Sequence, residues 1–174
     1  MSCYTEAGLP SVQEEDWRFT NVAPLTRLPF KTATEYSPGS LTSGSLQKFP
    51  FTRLKTNRLV FVNGHYADDL SSVLPQKENI QITSLATALN LDSDLLEKHL
   101  AAIASAEKNV FAALNTAFFQ DGAFIYVPPG CAVEEPVHLL YISPAGEAGT
   151  RSPPRNLIIA EKGSRLTILE SDVS

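Results

Sequence analysis

Apolar residues in the last third of the chain fall into four short runs: Ala123-Phe124-Ile125-Tyr126-Val127, Val137-His138-Leu139-Leu140-Tyr141-Ile142, Leu157-Ile158-Ile159-Ala160 and Arg165-Leu166-Thr167-Ile168-Leu169. Each is rich in β-branched or aromatic residues. The runs are separated by turn formers: Pro128-Pro129-Gly130, Ser143-Pro144, Pro153-Pro154 and Lys162-Gly163. No helical period lies between them. A series of short strands of this kind suits a β-solenoid, a jelly roll or a cupin-like barrel.

The pattern upstream is mixed. Leu59-Val60-Phe61-Val62 reads as a strand that stops at Asn63-Gly64, where both residues tolerate positive φ, and His65-Tyr66 forms the return limb of a hairpin. Ile80 and Ile82 alternate with polar neighbours as a further strand. Thr83 or Ser84 then caps a helix carrying Leu85, Ala88 and Leu89. Asp92 or Ser93 caps a second helix with Leu95, Leu96, His99, Leu100 and Ile103 at helical spacing. Asn109 to Phe119 makes a third, with Phe111, Leu114 and Phe118 on one face and Asp121-Gly122 as its stop.

The first sixty residues read as loop and turn. Ser11 to Trp17 begins a helical turn capped by Ser11, Pro24 and Pro29 forbid a long helix, and the Ser/Thr/Gly/Pro-rich stretch from Thr32 to Gln47 reads as a flexible loop. The pattern divides the chain into a loop-rich segment (1–57), a hairpin-and-helix segment (58–122) and a strand array (123–174), which makes it α+β.

Composition narrows the function. With 174 residues, 43% hydrophobic and 19% charged, the chain is long enough for one compact domain, and it is neither a disordered acidic protein nor a coiled coil. Fourteen Lys and Arg against nineteen Asp and Glu give a net charge of -5, which disfavours nucleic acid as a partner. The basic excess is local: Lys48, Arg53, Lys55 and Arg58 occur without an acid among them, interleaved with Phe49 and Phe51. That stretch could track a phosphate backbone, although such stretches are more often solvated faces. Cys3 and Cys131 have neither the spacing nor the histidine neighbours of a zinc site or a disulfide framework. No stretch approaches the ~20 apolar residues that span a bilayer. A reducing, cytoplasmic setting is the simplest expectation.

Catalytic signatures are absent: no phosphate loop with lysine, no G-x-S-x-G elbow, no G-x-G-x-x-G after a strand. The competing enzyme reading is a cupin-like, metal-dependent one, with His138 paired to Glu134 or Glu135. It is poor in ligands, because His65, His99 and His138 fall in different elements and adjacent carboxylates before Pro136 suit a solvated turn. An interaction scaffold fits the residues better than an enzyme does.

The words of the sequence sharpen this. Glu14-Glu15-Asp16-Trp17-Arg18-Phe19-Thr20-Asn21 with Ala23-Pro24-Leu25, then Val62-Asn63-Gly64-His65-Tyr66, then Phe111-Ala112-Ala113-Leu114-Asn115-Thr116-Ala117-Phe118 with Asp121-Gly122, resemble words of the SufD family of iron-sulfur cluster assembly proteins. Val127-Pro128-Pro129-Gly130, Glu135-Pro136-Val137-His138-Leu139, Pro154-Arg155-Asn156-Leu157-Ile158-Ile159 and Glu161-Lys162-Gly163-Ser164 continue the resemblance in order. The first word favours SufD over its paralogue SufB.

The resemblance implies the first coils of a right-handed parallel β-helix in 123–174, with Ile125, Val127, Leu139, Ile158 and Ile168 in its core. It implies a non-catalytic scaffold that works with a SufB-like paralogue and a SufC-like ATPase in a SufBCD-type complex. The iron-sulfur cluster belongs to the full complex, and no catalytic, cofactor or metal residue transfers to this chain. Relative to the family pattern the chain reads as an N-terminal portion. An end at Leu169 to Ser174 would leave a pairing edge, so self-association is expected.

Overall fold

A computed structural model of the chain describes residues 9–27, 31–32, 39, 41–77, 79–91, 93–100, 102, 109–144, 150–151 and 153–174. Nine strands are described: β1 (Lys31–Thr32), β2 (Asn57–Val62), β3 (His65–Tyr66), β4 (Gln81–Ser84), β5 (Ala123–Val127), β6 (Val137–Ile142), β7 (Thr150–Arg151), β8 (Leu157–Ala160) and β9 (Ile168–Val173). Three helices join them: α1 (Leu85–Leu91), α2 (Ser93–His99) and α3 (Val110–Phe118).

The strands form a four-stranded sheet in the order β3-β2-β6-β9, a three-stranded sheet β4-β5-β8 and a short β1-β7 pair. The two larger sheets face each other. Leu59, Phe61, Ile82, Ile125, Val127, Val137, Leu139 and Tyr141 interdigitate between them. The outer face of the four-stranded sheet buries Val60, Val62, Leu140 and Ile142 under Leu46, Ala67 and Leu70. The outer face of the other sheet buries Phe124, Leu157 and Ile159 under Leu85, Ala88 and Leu96 of α1 and α2. Near-continuous burial of β2 and β6 on both faces explains why they read as unbroken apolar runs.

The second half proceeds in two rounds. Phe124 on β5 pairs in parallel with Leu157 on β8, 33 residues on. Val137 on β6 pairs in parallel with Ile168 on β9, 31 residues on. The corners between them also coincide: Ala132 bridges Arg165, and Gly130 and Gly163 both take left-handed backbone, at φ 73 and 74. β2 lies parallel to β6 on the other side. The sheets are nevertheless mixed: β3 joins β2 antiparallel through the tight Asn63-Gly64 turn, and β4 joins β5 antiparallel although α1, α2 and α3 lie between them in the sequence. The architecture is α+β with few short helices.

Several expectations hold in detail. Asn63 and Gly64 turn the hairpin at φ 48 and 80. The Ser84 hydroxyl accepts from the Thr87 N–H (3.1 Å) and so caps α1. The Asn109 side chain accepts from the N–H groups of Phe111 and Ala112 at the start of α3.

Others are corrected. The helical stretch after Ser11 is confined to a 3-10 helix over Glu15–Trp17 with Glu14 at its cap position, while Ser11 does cap the turn that leads into it: its hydroxyl accepts from Gln13 N–H (3.3 Å) and its N–H donates to the Glu14 carboxylate (2.8 Å). At the end of the Thr32–Gln47 stretch, where the composition predicts a flexible loop, Ser45–Lys48 forms a 3-10 helix because Leu46 is buried against β2 and β6. α3 ends when Phe119 turns extended, before Asp121-Gly122, and Phe118 is exposed. The last strand is Ile168–Val173 and not Arg165–Leu169, because its register is set by β6. Ile158 is 41% exposed although its partner Ile125 is fully buried. Cys3, Pro29, Asp92 and Ile103 lie outside the described residues.

Candidate functional site

Three of the words that stand out in the sequence, around Trp17, Phe111–Gly122 and Pro154–Asn156, meet in space. The Trp17 ring lies on Phe111 of α3, centroids 5.3 Å apart. Asn115 of the same helix donates its side-chain amide to the Pro154 carbonyl (2.8 Å), and the Arg155 guanidinium donates back to Asn115 Oδ1 (3.0 Å). The Arg155 backbone N–H donates to the Asp121 carbonyl (3.0 Å). Asp121 Oδ1 accepts from Gly122 N–H (2.8 Å) and from Ala86 N–H (2.9 Å), so it helps cap α1 from 35 residues away. Asn156 Oδ1 accepts from Ala123 N–H (2.9 Å) and the Tyr141 hydroxyl (2.8 Å). Gly122 is required here, since a Cβ would stand 1.9 Å from the Arg155 carbonyl oxygen. This clasp ties α3 and α1 to the entry of both rounds. It satisfies buried backbone groups and presents no free nucleophile or acid–base pair.

A second knot surrounds Asn57, which is almost fully buried. Its Oδ1 accepts from Leu74 N–H (3.0 Å) and Gln76 Nε2 (2.8 Å), and its amide donates to the Glu135 carbonyl (3.1 Å). Lys55 pairs with the Glu135 carboxylate, and Lys77 with Glu134 at 3.6 Å. The hydrogen bond to Glu135 raises the Lys55 ammonium above its ordinary value, and the same contact lowers the Glu135 carboxyl. The two adjacent carboxylates are therefore engaged by lysines, and neither is hydrogen-bonded to His138.

His138 lies on the outer face of β6, fully buried, with Nε2 3.1 Å from Ser171 Oγ. Burial, followed by the Arg58 cation, holds its pKa below the ordinary histidine value. Its other ring nitrogen and Arg58 Nε are both buried without a hydrogen-bond partner. His65 is on β3 and His99 at the end of α2. Among the described residues no group of three or more His, Cys, Asp or Glu side chains could hold a metal, so the cupin-like reading loses its ligand set. Cys131 sits half-buried in the corner after Gly130, its thiol 3.7 Å from the Pro129 carbonyl.

The basic stretch divides as well. Arg58 is drawn in under the strap, its guanidinium donating to the Thr52 carbonyl (3.0 Å), and Lys55 is engaged by Glu135, which breaks the continuous cationic face that a nucleic-acid groove needs. A cleft of ≈ 510 Å³ runs beside β4, lined by Gln76, Ile80, Gln81, Ile82, Thr83 and Leu91. None of these side chains titrates near neutrality, so the cleft offers shape and hydrogen bonds without acid–base chemistry. No helix among the described residues is long and apolar enough to cross a membrane.

Sequence reasoning found these words without their roles. Asn115 in the third helix, Asp121-Gly122 and Pro154-Arg155-Asn156 were the available signal, since residues of these types beside turns often bond to backbone.

Comparison with known proteins agrees with this arrangement. The family described as SufBD protein N-terminal region matches residues 1–139. The chain is 28% identical over 163 residues to the iron-sulfur cluster assembly SufBD family protein slr0076 of Synechocystis sp., covering 94% of this chain and 35% of that protein. It is 34% identical over 172 residues to the iron-sulfur cluster assembly SufBD family protein ABCI8, chloroplastic, of Arabidopsis thaliana, covering 96% of this chain and 30% of that protein. The chain thus spans about a third of the length of these relatives. With a family match over most of its length, the chain belongs to the SufBD family of proteins through its N-terminal region.

Proposed function

We propose that the chain is the N-terminal part of a SufD-type scaffold in iron-sulfur cluster assembly, acting without catalysis of its own in a complex with a SufB-like paralogue and a SufC-like ATPase. The observation that carries the reading is the stacking of β8 and β9 on β5 and β6 at a nearly constant offset, with matching glycine corners. Such stacking is how a solenoid grows, each round offering its edge to the next. In this reading the rounds are the first coils of a right-handed parallel β-helix. α3, clasped to their entry, serves as the brace between the N-terminal segment and the coils. The relatives' names point to iron-sulfur cluster assembly. A cytoplasmic setting is part of the same proposal.

Co-expression of the full-length protein with a SufB-like and a SufC-like partner from one source tests it. The full-length protein should co-purify with both. Residues 1–174 alone should fail to retain the SufC-like ATPase. Purification of the full-length protein free of either partner would remove the assignment.

A further inference from the structure

The segment Phe49–Lys55 forms a strap over the outer face of the four-stranded sheet. Phe49 packs against the cluster that includes Leu46, Val60 and Leu140. The Thr52 carbonyl accepts from Arg58 on β2, and the Phe51 ring meets the His138 ring on β6 edge-on, centroids 5.9 Å apart at 89°. Phe51 is held at φ 59, a left-handed conformation that costs a non-glycine residue about 1–2 kcal/mol, so contacts beneath the strap must hold it there. Arg58 and His138 are register partners in adjacent parallel strands and share this face. Arg58 Nε and His138 Nδ1 are both buried and unpartnered.

We propose that Arg58 and His138 form a pH-sensitive latch beneath the 49–55 strap, closed while the imidazole is neutral and released when it gains a proton. With its proton on Nε2, facing Ser171 Oγ, the neutral ring offers only a lone pair at Nδ1, which sits comfortably near a guanidinium. A proton at Nδ1 turns that lone pair into a second buried cation without an acceptor, beside Arg58. No acid offsets it. Leu169 and Ser171 face His138 from β9, and Phe51 from the strap. Of the strap's own cations, Arg53 is exposed and Lys55 is engaged by Glu135. Opening the strap lets the ring and the guanidinium hydrate and relieves the strain at Phe51.

The sign follows from linkage. Burial and Arg58 lower the histidine's pKa in the closed form, and the open form titrates near 6.5. Closure is at full strength above that value and weakens as pH falls below it, by up to about tenfold per pH unit, levelling off below the closed-form value.

Hydrogen exchange read by mass spectrometry on the 174-residue chain, corrected for intrinsic rates between pH 7.5 and 5, tests this. Protection in a peptide covering 47–56 should fall at least about fivefold across that range while protection in 123–127 holds. His138→Phe should abolish the pH dependence. Arg58→Met should shrink it, because without the guanidinium the closed form accepts a proton more readily. Ring NMR of the native protein supplies a readout that survives a misfolded variant: His138 should titrate below the ordinary histidine value. Strap protection that ignores pH, that falls only together with the core, or that responds to pH unchanged in His138→Phe would overturn the latch.

Discussion

The first round of strands, β5 and β6, and the second, β8 and β9, follow one backbone path, with parallel register and glycine corners of equal φ, yet their inward positions differ in chemistry. Ile125, Leu139 and Tyr141 of the first round are buried, with Tyr141 stacked on Phe61. Their register partners in the second are Ile158, Glu170 and Asp172, all exposed. The first round is covered on both sides, by β2 and β4 on one and by the second round on the other. The second is covered on one side among the described residues. Backbone hydrogen bonding repeats a path regardless of side chain, whereas burial depends on what stands on each side.

This contrast can be broken at once. Gly122→Ala drives a methyl group into the Arg155 backbone where the two rounds meet, and should cost about 3–4 kcal/mol in chemical denaturation. An unfolding midpoint equal to the native one would show that the junction has slack.

The next two changes sharpen it. Leu139→Ala should cost about 3 kcal/mol through transfer and cavity terms, while Glu170→Ala, its register partner, should change stability by less than about 0.5 kcal/mol. Equal effects would contradict the asymmetry between rounds. Gly130→Ala and Gly163→Ala should each cost about 1–2 kcal/mol from left-handed strain, and by similar amounts, because the corners share a conformation and neither meets a close neighbour.

The smallest expected effect lies at the boundary of the rounds. Burial raises the Tyr141 phenol above its ordinary value, ahead of a weaker lowering by the Asn156 hydrogen bond and raising by Glu170 and Asp172. The folded state therefore keeps a proton that the unfolded chain loses above about pH 10, so this stability is present below that pH and declines as pH rises past it. Tyr141→Phe should cost about 1 kcal/mol at pH 7 and flatten the alkaline decline. Thermal melts between pH 8 and 11 on both proteins provide the check.

The sequence was most legible where a residue's own conformation decides the outcome. Asn63-Gly64 made its turn, Asn109 and Ser84 capped their helices, and runs buried on both faces read as strands. It was least legible where a distant partner decides. Glu170, Ser171 and Asp172 fall outside the last apolar run until β6 imposes its register, and Ile158 reads as core although, among the described residues, β8 is covered by β5 alone. The clasp follows the same logic. Asn115, Asp121 and Arg155 could be recognised as words of a family, but their hydrogen bonds join residues 34 to 40 apart, beyond what local periodicity encodes.

The parallel pairing of β2 with β6 carries a cost in time. Asn57 pairs with Val137, so the strand leaves the ribosome 80 residues before its partner. At roughly 5–20 residues per second that is a wait of about 4–16 s for an apolar Leu-Val-Phe-Val segment with only its short hairpin limb for company. β5–β8 and β6–β9 close over much shorter spans and wait far less. The interval before β6 arrives is therefore when the nascent chain most needs a chaperone.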